Sequence, residues 1–483
     1  MDHHPIVIVG AGFGGIGLGA KLRQAGITDF TILERTEDLG GTWSRNTYPG
    51  AACDVPSVLY CYSFAPNPAW SHKYASQGEI LDYLRDVAEK FDVTGHMRFG
   101  TEVESAVFDE TTSTWQIRTN HGEMTADVLV TAVGAFTEAS IPQLPGMDTF
   151  GGSMFHTLHW DHDHDMSGER VAVIGTGATA IQVIPAISDV ADEVVVFQRT
   201  PAWIVPRLDR SITLAEKTLY SLLPLTQRLM RTGWYAAIES FGLPGFTNTA
   251  FRHPFEALGR LQLARQVSDP ELRSKLTPDY MIGCKRAIFS DKYYPALCRD
   301  DVTVVTEGIS EIREHSIVDG AGVEHAVDTI VFATGFTATP RVGDGIKGID
   351  GRSVNDVYRD RPQSYLGVAT AGFPNMFTIL GRFGAAGNQS AVFMIEGQID
   401  YIVSGIKKLR QRGITRFDLR HEVQDAFVDE VHRRSQHGTW LQGGCASYYT
   451  NGSGENSGLY PNWSFEYRHR TRNFDLDNYE VVS

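Results

Sequence analysis

The sequence predicts an α/β fold made of two similar units, the second inserted into the first, with a helical insertion of its own. Three observations carry this reading. A glycine-rich turn occurs twice, each time between an apolar strand-like run and a helix-like segment. Each copy is followed by a short strand that ends at a charged residue. Each unit is closed by a β-branched run that starts at an aspartate and reaches a glycine seven residues later, Asp127 to Gly134 and Asp328 to Gly335.

The first copy opens with Ile6-Val7-Ile8-Val9, apolar throughout as a strand buried on both faces must be. Gly10-Ala11-Gly12-Phe13-Gly14-Gly15 follows and leads into a helix through Arg23. A second strand, Phe30 to Leu33, ends in Glu34. Strand, GxGxxG, helix, strand and acid make the dinucleotide fingerprint. Gly10 permits the tight turn, Gly12 lets the backbone approach a pyrophosphate, and Gly15 lets the helix pack on the strand. Phe13 sits in the same turn, where free N–H groups at the helix start face an anion. Glu34, 19 residues past Gly15, stands where a carboxylate accepts from ribose hydroxyls.

In the second copy, Val171 to Ile174 leads into Gly175-Thr176-Gly177-Ala178-Thr179-Ala180. Ala180 replaces the third glycine, which the fingerprint allows. The strand Glu193 to Phe197 then runs into Gln198-Arg199-Thr200-Pro201. Arg199 lies 19 residues past Ala180, the same offset as Glu34 from Gly15. An acid there suits a free ribose diol, whereas the planar guanidinium fork suits a 2′-phosphate. The units therefore read as two Rossmann-like dinucleotide-binding domains, the first for FAD and the second for NADPH.

Alternating segments precede each closing run: Val103 to Phe108 with Trp115 to Arg118, and Val302 to Thr306 with Ile309 to Ile312. Both pairs read as antiparallel hairpins. Ile141-Pro142-Gln143-Leu144-Pro145-Gly146 marks the first crossing between units, and Ala333 to Pro340 the second. The expected organisation is 1–140 for the first part of the FAD domain, 141–335 for the NADP domain with a helical insertion at about 206–279, and 336–483 for the rest of the FAD domain.

Net charge and cysteine usage narrow the class further. A formal charge of −15 argues against a nucleic-acid partner, which needs a basic face. Five cysteines without a CxxC argue against a disulfide framework and against a zinc ribbon, so buried free thiols and no bound metal are expected. The start of the chain lacks the basic and apolar regions of a signal peptide, and no apolar run is long enough to span a bilayer. A cytoplasmic protein is expected. The segment 218–246 mixes Leu, Met, Trp and Phe with Arg228 and Arg231. It reads as a helical insertion packed on its own domain, with weak peripheral membrane contact as the alternative.

Two dinucleotide sites fit a flavoenzyme that passes hydride to a disulfide or one that passes it to O2. The first needs a poised cysteine pair, and Cys53 and Cys61 are eight apart with no CxxC. Two longer patterns then point one way. Phe150-Gly151-Gly152-Ser153-Met154-Phe155-His156-Thr157-Leu158-His159-Trp160-Asp161 reproduces FxGxxxHxxxW followed by Pro or Asp. Gly40-Gly41-Thr42-Trp43, Tyr48-Pro49-Gly50 and Asp54 reproduce GGxWxxxxYPGxxxD. With Gln198 to Pro201, Ala333-Thr334-Gly335 and the segment Gly444 to Pro461, the chain resembles the type I Baeyer–Villiger monooxygenases over nearly its whole length.

That resemblance implies an FAD- and NADPH-dependent enzyme that uses O2 to insert an oxygen atom beside a ketone carbonyl, through a C4a-peroxyflavin, giving an ester or lactone. Asp54 resembles the family's active-site aspartate and Arg286 its essential arginine. A guanidinium supplies fixed positive charge where an anion develops, and a carboxylate can orient it through a bidentate pair. Gly41, Thr42 and Trp43 would line FAD, Tyr60 would reach its phosphate or ribose, and Val103 would contact its adenine. Arg199, Thr200 and Lys285 would approach the NADPH phosphate. Trp440 resembles a mobile-loop tryptophan over the nicotinamide, and His156 and Trp160 resemble domain-coupling residues. The chain departs from many relatives at Thr337, where an aspartate is usual. The alternative activity is S- or N-oxygenation, as in the related flavin-containing monooxygenases. Those usually carry another aromatic residue where Trp160 stands.

Overall fold

A computed structural model describes residues 2–247, 251–337, 339–451 and 453–483. Residues 248–250 of the expected insertion and residue 338 of the expected second crossing lie outside that set. Two sheets dominate. The first has eight strands, with Asp2–Val9 between Phe30–Leu33 and Gly122–Thr131, parallel to both. An antiparallel hairpin, Val103–Asp109 with Thr114–Thr119, continues into Gly122–Thr131. Met376–Thr378 adds in parallel beside Gly122–Thr131, so the chain returns to this sheet late.

The second sheet is parallel throughout. Its order is Val302–Val305, Glu193–Phe197, Arg170–Ile174, Thr329–Phe332 and Ser153–His156. Its strands are short β-branched runs, buried because helices cover parallel sheets. The two sheets are Rossmann-like, and the second is inserted in the first by sequence. Val9, Leu33 and Thr131 come into register at one sheet edge, where Gly10 N donates to Leu33 O at 2.8 Å. In open α/β sheets ligands bind at that carboxyl edge.

The chain segments that join the units pair with each other. Ala139 bridges Phe336 in antiparallel fashion, Ser140 N donates to Gly335 O at 2.9 Å, and Thr337 N donates to Glu138 O at 3.0 Å. Arg35 adds an ion pair to Glu138 at 2.8 Å, and both Arg35 and Arg45 donate to Thr137 O.

Three expectations need correction. Val302–Val305 is not half of a hairpin but the outer parallel strand of the second sheet. Ile309–Arg313 instead pairs with Ser316–Asp319, which pairs with Glu324–Ala326 in a separate three-stranded sheet. A short β-branched run does not reveal the direction of its partner. Second, the expected buried free thiols hold only for Cys53 and Cys61: Cys284 and Cys445 form a disulfide across 161 residues, and Cys298 is free but exposed. The odd cysteine count and wide separation hid this pair. Third, the insertion is helical as expected, with Leu214–Leu222, Pro224–Thr247, His253–Gln266 and Pro270–Lys275 among the described residues, but Pro224–Thr247 bonds to Val58, Cys61, Asn67 and Ser464 of the first unit's segments and not to its own unit alone. Tyr220, Gln227, Glu239 and Leu243 are buried, but Leu222, Leu225 and Leu229 face solvent.

Two measurements test these features. Asp418, on the strand Arg416–Leu419, accepts from Gly372 N at 3.1 Å, yet burial prevails and raises its pKa to about 6. The folded state thus holds this proton more tightly than the unfolded chain, whose ordinary value is 3.8. The stability it contributes is complete below about pH 4 and is lost as pH rises through about 6. Asp418→Asn is expected to melt like the parent near pH 4 and a few degrees higher above pH 7. A melting difference that does not change with pH would contradict this. Alkylation of the unfolded chain without reductant is expected to modify Cys53, Cys61 and Cys298, and all five cysteines after reduction, as counted by mass spectrometry.

Candidate active site

The two glycine turns repeat at the level of atoms. A Cβ on Gly10 would lie 2.7 Å from Ala132 O, and one on Gly175 would lie 2.4 Å from Ala333 O. Both glycines have positive φ, 106° and 119°. Each turn opens a helix, Phe13–Gln24 and Ala178–Ile187, whose N-cap is a glycine with no side-chain cap. The first N–H groups of both helices therefore have no side-chain acceptor, and the helix dipole points its positive end at the same place. Gly12 and Gly41 approach closely beside the first turn, where a Cβ on Gly41 would lie 3.0 Å from Gly12 Cα. A dinucleotide pyrophosphate fits both cradles, with Ala180 buried where the second helix meets its strand.

Glu34 is buried at the end of its strand. One carboxylate oxygen accepts from Ala11 N at 2.8 Å, and the other from Thr36 N and Thr36 Oγ1 at 3.0 and 2.8 Å. The carboxylate thus braces the glycine turn and keeps spare lone pairs for a ribose. The counterpart residue, Arg199, is exposed and has no ion pair among the described residues. Thr176 Oγ1 donates to Thr200 O at 2.8 Å, joining the second turn to the segment behind Arg199. Lys285 lies over the Tyr280 ring at 5.2 Å, and its pKa is lowered first by burial and then by Arg199. Two cations so close, with no carboxylate bonded to either, are poised for a doubly charged anion.

Asp54 and Arg286 meet in a fork. Arg286 Nε donates to Asp54 Oδ2 at 2.8 Å, and Nη2 donates to Oδ1 at 2.7 Å. The side chains keep 20% and 34% of their exposure, so the pair sits at the wall of an opening. Burial opposes the Asp54 charge, but Arg286 outweighs it and holds the carboxyl below its usual range. For Arg286 the Asp54 charge outweighs burial and raises the pKa well above its usual value. Both groups stay charged at any working pH.

Four tethers fix the fork. Gln182, on the second fingerprint helix, accepts from Tyr48 OH at 3.1 Å and donates to Ala52 O at 2.9 Å. Arg207 donates to Cys53 O at 3.0 Å. Met281 N donates to Gly443 O at 3.0 Å, and the Cys284–Cys445 disulfide lies two residues before Arg286. These ties bring Tyr448 and Tyr449 within electrostatic reach of Arg286. Tyr448 OH donates to Tyr449 OH at 3.1 Å. Sequence reasoning did not select Gln182, Arg207, Tyr448 or Tyr449. Both tyrosines belong to the segment Gly444 to Pro461 that carries the family resemblance, but that segment did not assign them a role.

Around the first turn, the Phe13 and Tyr60 rings meet edge-on at 5.1 Å, and Trp43 Nε1 donates to Tyr60 OH at 3.2 Å. Burial pushes the Tyr60 phenol up, so it stays protonated. Thr42 begins the short helix Thr42–Arg45, and its carbonyl accepts from Asn46 Nδ2 at 2.9 Å. Val103 begins its strand, opposite Thr119. Trp440 is not in an open loop: it is buried in the short helix Thr439–Gln442, 6.1 Å from the Phe246 ring, with Nε1 unpartnered among the described residues. His156 is 1% exposed, and its Nδ1 accepts from Leu158 N at 3.0 Å. Burial lowers its pKa to about 4, so it is neutral and unsuited to acid–base work at neutral pH. Trp160 packs edge-on to Phe155 at 5.2 Å.

Comparison with known proteins agrees with this architecture. Residues 3–218 match the family model described as flavin-binding monooxygenase-like. A "Baeyer-Villiger monooxygenase" of Streptomyces coelicolor is 42% identical, with 100% of this chain and 93% of the relative covered. One of Pseudomonas aeruginosa is 40% identical, with 100% and 92% covered. A solved structure titled as an oxidized steroid monooxygenase bound to NADP superposes with a TM-score of 0.89 at 30% identity, covering 99% of both chains. The chain belongs to the Baeyer–Villiger monooxygenases, a family of flavoprotein monooxygenases.

Proposed function

We propose that this chain binds FAD at the first glycine turn and NADPH at the second, and uses O2 to convert a small-molecule ketone into an ester or lactone. The observation that carries the reading is the Asp54–Arg286 fork, joined to both nucleotide units by the ties around it. When bound, the flavin accepts hydride from NADPH and activates O2, chemistry that belongs to the cofactors. The proposed domains run 1–140 and 336–483 for FAD and 141–335 for NADP, with the helical insertion at about 206–279.

The protein's own part is to bind, orient and hold charge. Gly10, Gly12, Phe13 and Gly15 receive the FAD pyrophosphate, Glu34 its ribose, and Val103 its adenine end. Gly41, Thr42, Trp43 and Tyr60 line the same cofactor. Gly175, Thr176, Gly177, Ala178, Thr179 and Ala180 receive NADPH, and Arg199, Thr200 and Lys285 grip its 2′-phosphate. Arg286 keeps a permanent positive charge at the reacting end, and Asp54 holds that guanidinium flat and aimed. Trp440, whose Nε1 is unpartnered among the described residues, is the residue that would meet the nicotinamide. NADPH dependence supports a cytoplasmic setting, while the Cys284–Cys445 bond pulls the other way, because reducing compartments keep thiols apart. Among the described residues no helix is long and apolar enough to cross a membrane. Peripheral membrane contact through 218–246 completes the set of proposed partners.

Ketone turnover tests the reading. Holoenzyme supplied with NADPH, air and a ketone panel is expected to release ester or lactone, detected by gas chromatography. Arg286→Ala should retain its flavin, measured by absorbance, and lose ester formation by about 100- to 1,000-fold. Arg286→Lys keeps the charge but not the fork and should fall between. Ester formation by Arg286→Ala at the parent rate would end this assignment. For the second site, Arg199→Ala is expected to raise the KM for NADPH about 10- to 100-fold, with little change in kcat or in the KM for NADH.

A further inference from the structure

The insertion helix Pro224–Thr247 is inside out. The side chains that attach it to the body are polar and recur every fourth residue: Gln227, Arg231, Tyr235 and Glu239. Gln227 Nε2 donates to Asn67 O at 2.5 Å, and Arg231 Nη1 donates to Val58 O and Cys61 O at 3.0 and 2.9 Å. Tyr235 OH shares a hydrogen bond with Ser464 Oγ at 3.1 Å, and Glu239 Oε1 accepts from Ser464 N at 2.5 Å. The opposite face carries Leu225 and Leu229, and Leu222 stands beside them at the end of the preceding helix, Leu214–Leu222. Leu222, Leu225 and Leu229 are 74%, 65% and 63% exposed. A surface helix of a water-soluble protein ordinarily turns its apolar stripe inward.

The neighbouring helix extends the patch. Leu214, Ala215, Thr218, Leu219, Leu222 and Leu223 line an open groove of about 780 Å³. Isolated surface leucines need no explanation, but a contiguous apolar patch of this kind marks a contact surface. Local charge selects its partner. The free cations beside the leucines are Lys217 and Arg228, since Arg210 pairs with Glu216 at 2.6 Å and Arg231 turns to the body and pairs with Glu396. Lys217 and Arg228 have no ion pair among the described residues and flank the leucines. The rest of the chain carries the large negative charge that repels an acidic surface. Apolar side chains edged by free cations match the interface of an anionic bilayer.

We infer that the hairpin formed by Leu214–Leu222 and the first half of Pro224–Thr247 docks on an anionic lipid membrane, with Leu222, Leu225 and Leu229 entering the interface and Lys217 and Arg228 meeting lipid phosphates. The inference deepens the peripheral contact proposed for 218–246 and does not depend on the oxygenation chemistry. From Leu229 the helix runs on for about 25 Å to Phe246. Its far end is beside the fork segment: Phe246 packs against Gly283, and its ring lies 6.1 Å from that of Trp440. Docking therefore sets the membrane at one end of a helix whose other end borders the candidate active site.

The test is sedimentation of purified holoenzyme with vesicles of phosphatidylcholine, with and without phosphatidylglycerol, alongside ester formation from a water-soluble ketone in the same preparations. Expected is sedimentation with the phosphatidylglycerol vesicles only, reversed by raising ionic strength. Lys217→Gln with Arg228→Gln should lower partitioning about 25-fold, roughly fivefold per charge. Leu222→Asp with Leu225→Asp and Leu229→Asp should abolish binding, while melting temperature and ester formation stay at parent values, since these side chains already face water. Failure to sediment with either vesicle, or binding indifferent to the leucines, overturns the proposal whatever the ester assay shows. So does a dimer in light scattering that the aspartate variant splits, because the patch would then belong to a second copy of the chain.

Discussion

Asp54 rides on a loop beside the first sheet and Arg286 on a loop beside the second, 232 residues later, and the two charges face each other, partly buried, at the wall of an opening. Removing one partner of such a pair leaves the other desolvated and unbalanced, so the geometry around it must be held from outside. The tether at Gln182 comes from the second glycine helix, Arg207 from the start of the insertion, and the disulfide from the C-terminal segment. The fork is thus a meeting point of every major part of the chain. Its orientation records whether those parts have assembled correctly.

The sequence was informative where backbone geometry leaves little choice. A turn in which a Cβ would strike a carbonyl within 3 Å admits glycine alone, so Gly10 and Gly175 could be read from residue type and spacing. Asp54 and Arg286 were legible only through family-wide patterns, because nothing in their local surroundings requires a distant partner. The disulfide was not legible for the same reason. The direction of Val302–Val305 depends on its neighbour, Glu193–Phe197, and not on its own residues. The insertion shows a subtler limit. Its composition suggests a helix but its pattern is poor, and which face is held down is decided by acceptors such as Asn67 O and Cys61 O, far away in sequence.

Both glycine turns use the same arrangement, a turn amide bonded to the end of the adjacent strand and an uncapped helix behind it. What differs is the residue at the end of the second strand. Glu34 turns inward and is spent partly on its own loop, whereas Arg199 turns outward and is bonded to no carboxylate. One scaffold thus carries opposite charges at matching positions, with the surrounding bonding adjusted to bury one and expose the other.

The paired segments at Ala139 and Phe336 carry a last consequence. They place the entry and exit of the inserted unit side by side, so the unit hangs from the rest of the molecule like a bead on a closed clasp. A module with adjoining ends can be lifted out or exchanged without rerouting the chain that hosts it. Any exchange of the unit must therefore bring its own bonds to Tyr48, Ala52, Cys53 and Cys445, because those ties, and not the clasp, hold the Asp54 half of the fork.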